Sequence, residues 1–364
     1  MAARRQMRLL YVAEAFGGGV FELVRMTAEG AVAEGHEVAI AHGRRPETPE
    51  RPRELIDPRV ELLELPWTRR SPGAQLRGAA ALRRVARAWR PDLVHAYSSF
   101  AGVHCALVAG RGAPVVFTPQ AYAFTMSDQG AAARYAYRLA ESFASRRATV
   151  VGACSADEAR LARQLGARRV ETVPNGIPEL DEPGLPDRAS LEAARVIALG
   201  RTVPQRRPAA CAQILGSLAG AADVAWIGGA GGSRGVAGAA ALRSAGVPVS
   251  GWLARERVLA ELERATAYLH WTAWDGLPLS VLEAMARDTV VVASDIGPNR
   301  ELLGDRQVCA GEAEAVELLR AVLADRALGE ELLAEQRRRR SRYGAAAMVE
   351  GWLRLYRRLA RQAS

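Results

Sequence analysis

Short apolar runs alternate with helix-period segments along nearly the whole chain, in two successive series. That alternation limits the fold to parallel sheets covered by helices. The first series opens with a strand at 8–15 and a glycine loop, Phe16-Gly17-Gly18-Gly19. A helical face of Leu23, Val24, Thr27, Ala28, Ala31 and Val32 follows, Gly35 ends it, and the next strand covers 37–41. Strand, tight turn, helix and strand in that order begin a doubly wound sheet, because parallel neighbours need a crossover rather than a hairpin. Further strands are expected at 60–65, 93–96, 115–118, 149–153 and 169–172.

Pro174-Asn175-Gly176-Ile177-Pro178 then stops regular structure, and prolines and acids continue without period to about Arg188. A second series places strands at 194–199, 224–227, 247–250, 267–270 and 290–293, each followed by a helical pattern. A chain of 364 residues also exceeds what one core comfortably organises. The expected fold class is therefore α/β, with two Rossmann-like, doubly wound domains facing a central cleft. Residues 1–174 form the first domain, 175–192 a linker and 193–345 the second domain. A last helix at 346–364, with Trp352, Leu355 and Leu359 on one side, is expected to pack back on the first domain. Ligands of such sheets bind at the carboxyl ends of the strands, which places them in the cleft.

Within the second series, Trp274-Asp275-Gly276-Leu277-Pro278-Leu279-Ser280-Val281-Leu282-Glu283 sets two carboxylates eight positions apart across a helix start. Pro278 suits the first helical turn, where its missing N–H costs nothing. Free amides around Gly276, Leu277 and Leu279, with the positive end of the helix dipole, suit a phosphate. Glu283 lies about 7–8 Å along the helix from Pro278, at roughly 1.5 Å per residue. A nucleotide sugar has its parts in this order: sugar, diphosphate, ribose. The competing reading is an amphipathic helix whose two acids are solvated. In the first domain, Gly18 and Gly19 let backbone approach a diphosphate or an acceptor. A dinucleotide fingerprint fits poorly, since the spacing is not GxGxxG and the second strand ends at Ala41-His42 rather than at an acid. Gly228-Gly229-Ala230-Gly231-Gly232 is the second domain's counterpart, either beside the nucleotide or as a surface loop.

All 49 basic residues are arginine against 40 acids, for a net charge of +9. Such uniform usage matches the codon bias of a GC-rich genome and weakens any argument from the arginines as a group. Nucleic acid is excluded as a partner, because no binding motif appears and the arginines are spread along the chain. The densest run, at 337–340, is read as a solvated helix face or as a contact with an anionic membrane. No apolar run reaches the roughly 18–20 residues that span a bilayer. The basic N-terminus leads straight into a strand with no cleavage site. Cys105, Cys154, Cys211 and Cys309 are scattered and read as buried thiols in a reducing compartment. A cytoplasmic protein is expected, with peripheral contact at the inner membrane face as its membrane association. Five histidines without HExxH give no metal site.

Four segments together resemble the retaining glycosyltransferases of family 4, of the GT-B fold. They are Val173-Pro174-Asn175-Gly176-Ile177, Gly200-Arg201 with Arg206, Asp275-x7-Glu283-Ala-Met-Ala, and Ala293-Ser294-Asp295-Ile296-Gly297. Leu93-Val94-His95-Ala96-Tyr97-Ser98-Ser99 and Val116-Phe117-Thr118-Pro119-Gln120-Ala121-Tyr122-Ala123-Phe124 are similar to the family's bacterial polysaccharide branch. The resemblance covers nearly the whole chain. It implies metal-independent transfer, with retention at the anomeric carbon, from a nucleotide-diphosphate sugar (UDP or GDP). The acceptor is a glycan, lipid-linked or small-molecule hydroxyl, and no cofactor is needed. The donor sits mainly on the second domain and the acceptor on the first.

By resemblance, Arg201 and Arg206 carry the charge that meets the leaving diphosphate, with the amides of Gly276, Leu277 and Leu279 beside Pro278. Family members usually have lysine at Arg206 and glutamate at Asp275. Asp275 would hold sugar hydroxyls or the forming oxocarbenium face, and its shorter reach implies a tighter pocket. Glu283 would accept both ribose hydroxyls. Asn175 is placed near the phosphates or is simply a turn residue. Gly228 is placed near the nucleotide. Trp252 lies beside the base or in the core. The largest departure is Gln120, where the family has histidine in Thr-Pro-His-Gly. A glutamine cannot take up charge at neutral pH, so proton shuttling there is excluded. Transfer survives that loss where the leaving phosphate accepts the acceptor's proton. The alternatives are a catalytically silent nucleotide-sugar-binding member or partner subunit, and another GT-B enzyme such as an epimerase or inverting transferase.

Overall fold

The computed structural model describes residues 6–68, 71–108, 112–178, 194–230 and 232–363. Two compact units divide the chain: Met1–Thr125 with Gln129–Gly176 and Ala345–Ser364, and Met126–Asp128 with Ile177–Gly344.

The first unit is built on β1 (Arg8–Ala13), β2 (Glu37–Gly43), β3 (Glu61–Leu65), β4 (Leu93–Tyr97), β5 (Val115–Thr118), β6 (Val150–Ala153) and β7 (Val170–Thr172). All pair in parallel, in the order β3-β2-β1-β4-β5-β6-β7. Its crossovers carry α1 (Gly18–Ala33), α2 (Pro72–Trp89), α3 (Ser99–Val108), α4 (Ala131–Arg147) and α5 (Ala156–Gln164). Alternation along β1 sends Leu10 and Val12 to one core with Leu82, Cys105 and Phe117, and Tyr11 to the other face beside His95 and Tyr97. The apolar face expected of α1 is buried in full.

The second unit contains β8 (Arg195–Leu199), β9 (Asp223–Ile227), β10 (Ala267–His270), β11 (Val290–Ser294) and β12 (Val308–Cys309), in the parallel order β12-β11-β10-β8-β9. Around it lie α6 (Pro208–Gly216), α7 (Gly232–Ser244), α8 (Arg255–Arg264), α9 (Leu279–Ala286), α10 (Gly297–Leu303), α11 (Glu312–Ala324) and α12 (Arg326–Arg340). Trp226, Trp271, Leu269, Val292, Leu215 and Leu319 are part of its core. The last helix, α13 (Ala345–Ala363), belongs to the first unit and packs on α1 and β4. Trp352 lies so close to Gly152 that a Cβ there would sit 2.5 Å from its ring.

Strand order reverses between β1 and β4 in one sheet and between β8 and β10 in the other. The carboxyl ends at these switch points are where open α/β sheets bind ligands. The loops there begin at Glu14 and Ser98 in the first unit and at Gly200 and Trp271 in the second.

Some expectations are corrected. Residues 247–250 form no strand: the segment meets β9 at the isolated bridge Trp226–Val249, and Gly228 and Gly251 form a second isolated bridge just beyond both. Pro248 has no N–H for a ladder, and Gly251 turns away at φ 78°. The fifth strand of that sheet is instead the two-residue β12. Pro278 stands just before α9 as its extended N-cap (φ −71°, ψ 119°) rather than in the first turn. The linker expected at 175–192 falls outside the described residues from 179 onward, as does Gly231 of the second glycine run. All four cysteines are buried, and none of them is in a disulfide.

The basic run at 337–340 is largely engaged. Arg337 holds Asp288 at 3.0 and 2.8 Å, and Arg339 holds Glu335 at 3.1 Å. Arg340 donates to the carbonyls of Met285 and Ala286 at 3.3 and 2.9 Å. Those are the last carbonyls of α9, so a cation there both caps the helix and meets the negative end of its dipole. No described helix is long and apolar enough to cross a membrane.

Candidate active site

In the second unit the chain leaves β8 through Gly200 and Arg201 and tightens into a 3-10 turn, Pro204–Arg206. Gln205 ties that turn to the loop after β10. Its carbonyl accepts the Ala273 N–H at 2.8 Å, and its side-chain amide donates to the Trp274 carbonyl at 2.9 Å. The clamp brings Arg206 against Asp275, 69 positions away, with Nη1 to Oδ2 at 2.8 Å. The other carboxylate oxygen accepts the Gly276 N–H at 3.0 Å. Burial is the largest single effect and opposes the charge on Arg206, but the Asp275 carboxylate, with Tyr268 and Cys211 adding to it, raises the pKa above its ordinary value.

Below this pair lies a buried chain that sequence reasoning missed. The His270 Nδ1 is 2.7 Å from the Tyr268 hydroxyl, which donates to Ser280 Oγ at 2.9 Å. His270 Nε2 is 3.4 Å from Arg206 Nη1. Burial, and then the Arg206 charge, hold the His270 pKa well below its ordinary range, so the ring is neutral. An arginine N–H can only donate, so Nε2 is the acceptor and Nδ1 carries the proton toward Tyr268. His270 ends β10 at the switch point, a position that could have flagged it.

Gly276, Leu277, Pro278 and Leu279 are buried and lead into α9. The first amides of any helix lack intrahelical acceptors and face outward with the positive dipole end. About one turn along the helix Glu283 is buried and pairs with Arg255, the first residue of α8. Its carbonyl also accepts from Arg287 at 3.3 Å. Arg255 was not anticipated; 28 positions separate it from its partner. Around the end of β9, Gly228 has φ 136°, and a Cβ there would fall 2.1 Å from the Gly200 carbonyl oxygen. The next glycine packs on Trp252, whose indole is 62% exposed and is therefore no core residue. Arg201 is exposed at the end of β8. Arg201, Arg206, Asp275, Glu283, Gly228 and Trp252 thus all lie at the carboxyl edge of one sheet or on α9.

The first unit joins two other expected residues. Gln120 and Asn175 exchange amide hydrogen bonds, Nε2 to Oδ1 at 2.9 Å and Nδ2 to Oε1 at 3.0 Å. Gln120 (φ 54°) and Ala121 (φ 78°) both hold left-handed backbone, which costs a non-glycine residue roughly 1–2 kcal/mol. The Ala121 N–H is fixed by Glu158 Oε1 at 2.8 Å, and that buried carboxylate also accepts from Cys154 at 2.9 Å. Glu141, likewise buried, accepts from Ser99 and from the Ala123 and Phe124 amides at 2.6 and 3.1 Å. Burial pushes its pKa up to about 7. At the β1 switch point Gly18 and Gly19 are exposed as the first residues of α1. Gly17 is pinned, because a Cβ would meet the Glu47 carbonyl at 2.2 Å. No group of three His, Cys, Asp or Glu that could hold a metal stands among the described residues.

Two family models match in tandem, a glycosyl transferase 4-like domain over residues 18–176 and glycosyl transferases group 1 over residues 239–346. No curated protein matches the chain in sequence. Among solved structures it is similar to a sucrose-phosphate synthase from Thermosynechococcus elongatus, at 18% identity and TM-score 0.84, over 99% of this chain and 100% of that one. It is also similar to Anabaena HepE solved with UDP-glucose, at 16% identity and TM-score 0.76, over 96% and 99% of the two chains. A glycosyltransferase from Rickettsia africae matches at 13% identity and TM-score 0.70, over 98% and 99%. At such identities the likeness is one of fold.

Proposed function

We propose, from the premise that this chain belongs to the group 1, family-4-type glycosyltransferases of the GT-B fold, that it is a retaining, metal-independent enzyme using a UDP-sugar donor and a glycan, lipid-linked or small-molecule hydroxyl acceptor. One observation carries the reading. The Arg206–Asp275 pair at the switch point and the buried Glu283 on α9 bracket the amide tip of that helix. A diphosphate at the tip puts the ribose toward Glu283 and the sugar toward Asp275. Arg201, Arg206 and the α9 amides then carry the charge that develops on the leaving group, the work a metal does elsewhere. Exposed Trp252 is assigned to the base. HepE, of the same fold, was solved with UDP-glucose, which favours uridine over guanosine.

The bond from the anomeric carbon to the phosphate oxygen breaks, and the acceptor oxygen bonds to the same face. The proton it loses goes to the leaving phosphate. Gln120 needs no charge for this step. We assign Gln120 to donor choice, favouring a sugar altered or lacking at C6, and the acceptor to the first unit.

The test is release of nucleoside diphosphate from a panel of UDP- and GDP-sugars, with and without acceptor extracts. Release is expected to continue in EDTA and to vanish in folded Arg201→Ala or Glu283→Ala protein. Restoration only by added divalent metal, or an inverted anomer in the product, would overturn the mechanism. Gln120→His should shift preference toward hexose donors with a 6-hydroxyl, and an unchanged preference removes that assignment. A second reading, a silent sugar-nucleotide-binding member, draws on Gln120 being engaged with Asn175. Saturable UDP-sugar binding without release from any donor would select it.

A further inference from the structure

Elsewhere in the chain many arginines, though not all, are engaged with carboxylates, as at Arg25–Glu29, Arg45–Glu14, Arg195–Glu261 and Arg300–Asp295. One face of the first unit departs from this. On α2 the sequence carries Arg77, Arg83, Arg84 and Arg87, all exposed, and no acid. On α4 it carries Arg134, Arg138, Arg146 and Arg147, also exposed, with one acid, Glu141, which is buried beneath. None of these eight makes an ion pair among the described residues. Arg134 and Arg146 touch only carbonyls, of Phe124 and Leu165, and Arg138 lies over the Phe124 ring. Between them α3, without Asp, Glu or Arg, packs against both helices.

The same face concentrates exposed apolar side chains. Five of the eight large ones among the described residues are here: Leu76, Leu107, Tyr135, Leu139 and Phe143. The last three recur every fourth residue on α4 and form one outward stripe, 64, 55 and 41% exposed. Next to them a groove of about 250 Å³ runs between α2, α3 and α4, walled by Leu76, Ala79, Phe100, Val103, Leu107 and Tyr137. An apolar centre with an uncompensated cationic rim suits few partners. A second copy would set arginines against arginines. A nucleic-acid backbone would satisfy the charges but leave the stripe in water. An anionic bilayer satisfies both, since Tyr, Leu and Phe enter the headgroup region while arginine stems lie along them and guanidiniums reach phosphate.

We propose that the α2–α3–α4 face of the first unit docks on an anionic lipid bilayer. The surface stands independently of the sugar-transfer reading, and it differs from the 337–340 run, where three of the four arginines have protein partners. The test is co-sedimentation of the full chain with vesicles of phosphatidylcholine alone or mixed with phosphatidylglycerol. Two exposed-site variants accompany it, Arg83→Gln/Arg84→Gln/Arg87→Gln and Tyr135→Ser/Leu139→Ser/Phe143→Ser, each with its fold checked by circular dichroism. The native chain is expected to pellet with anionic vesicles only. The arginine variant should lose binding on the order of 100-fold, and the apolar variant should lose the part that persists at high salt. Equal pelleting with neutral vesicles, or binding untouched by both variants, overturns the proposal. So does tighter, salt-sensitive binding to duplex DNA or RNA that the apolar variant retains. Concentration-dependent dimers lost in the apolar variant would overturn it in favour of a second copy.

Discussion

Arg206 is held by two acceptors at once, Asp275 Oδ2 at 2.8 Å and His270 Nε2 at 3.4 Å. A guanidinium fork can serve both and still present a face to an incoming phosphate, whereas an ammonium is a point charge. Arg206→Ala is therefore expected to lower kcat for the proposed release of nucleoside diphosphate by about 10²–10³-fold. Arg206→Lys keeps the charge but loses the fork, and about a tenfold loss is expected. Equal losses in steady-state kinetics would show that charge alone matters. Glu141 offers a second test at this scale. Burial raises its pKa from 4.5 to about 7, so the native state binds a proton that the unfolded chain has released. Its stabilisation is complete below about 4.5 and is lost as pH rises through about 7. Thermal melts between these values should show stability falling as pH rises, on the order of 3 kcal/mol in total. Glu141→Gln should flatten that dependence; an unchanged slope would assign it to another group.

At the scale of elements, the close meeting of the loops after β8 and β9 depends on a missing side chain. Gly228→Ala would place Cβ 2.1 Å from the Gly200 carbonyl oxygen at φ 136°, combining overpacking with backbone strain, about 3–5 kcal/mol together. Gly246→Ala, at φ 75° with open space around it, should cost only about 1 kcal/mol. Urea unfolding of the two variants separates clash from strain. Most strands were legible because buried parallel strands are apolar runs bounded by glycine and proline, and Val115–Thr118 and Ala267–His270 end where the sequence says. The two-residue β12 is too short to display a period. The run at 247–250 looks like a strand until Pro248 removes a donor. Asp275, Glu283 and Arg206 stood out as charges at strand ends and on a helix start. Arg255 did not, because its partner is 28 positions away, and His270 reads in sequence as core. The left-handed backbone at Gln120 and Ala121 was hidden for another reason: neither residue announces a positive φ as glycine does. The arginines at 337–340 look like a solvated run because composition does not reveal that Arg340 reaches the last carbonyls of α9.

At the scale of the whole molecule, the first unit is assembled from the two ends of the chain, and α13 is its last part. The helix buries Met348, Trp352, Leu353, Leu355, Tyr356 and Leu359, each 3% exposed or less. At about 1.5–3 kcal/mol per side chain that is on the order of 10 kcal/mol, an upper estimate. A domain's whole stability is about 5–15 kcal/mol. The loss is also polar, since the Tyr356 hydroxyl is 2.5 Å from buried His95 Nδ1. Among the described residues, the second unit's core cluster includes none from α13. A chain ending at Gly344 should therefore lose the first unit and keep the second. Hydrogen exchange read by mass spectrometry distinguishes the outcomes: amides of β4, β5 and β6 should exchange freely while those of β8, β10 and β11 stay protected. Retained protection in β4 to β6 would mean that the sheet's other face, packed by α2, α3 and α4, holds the unit by itself. Free exchange throughout would mean that the two cores stand or fall together.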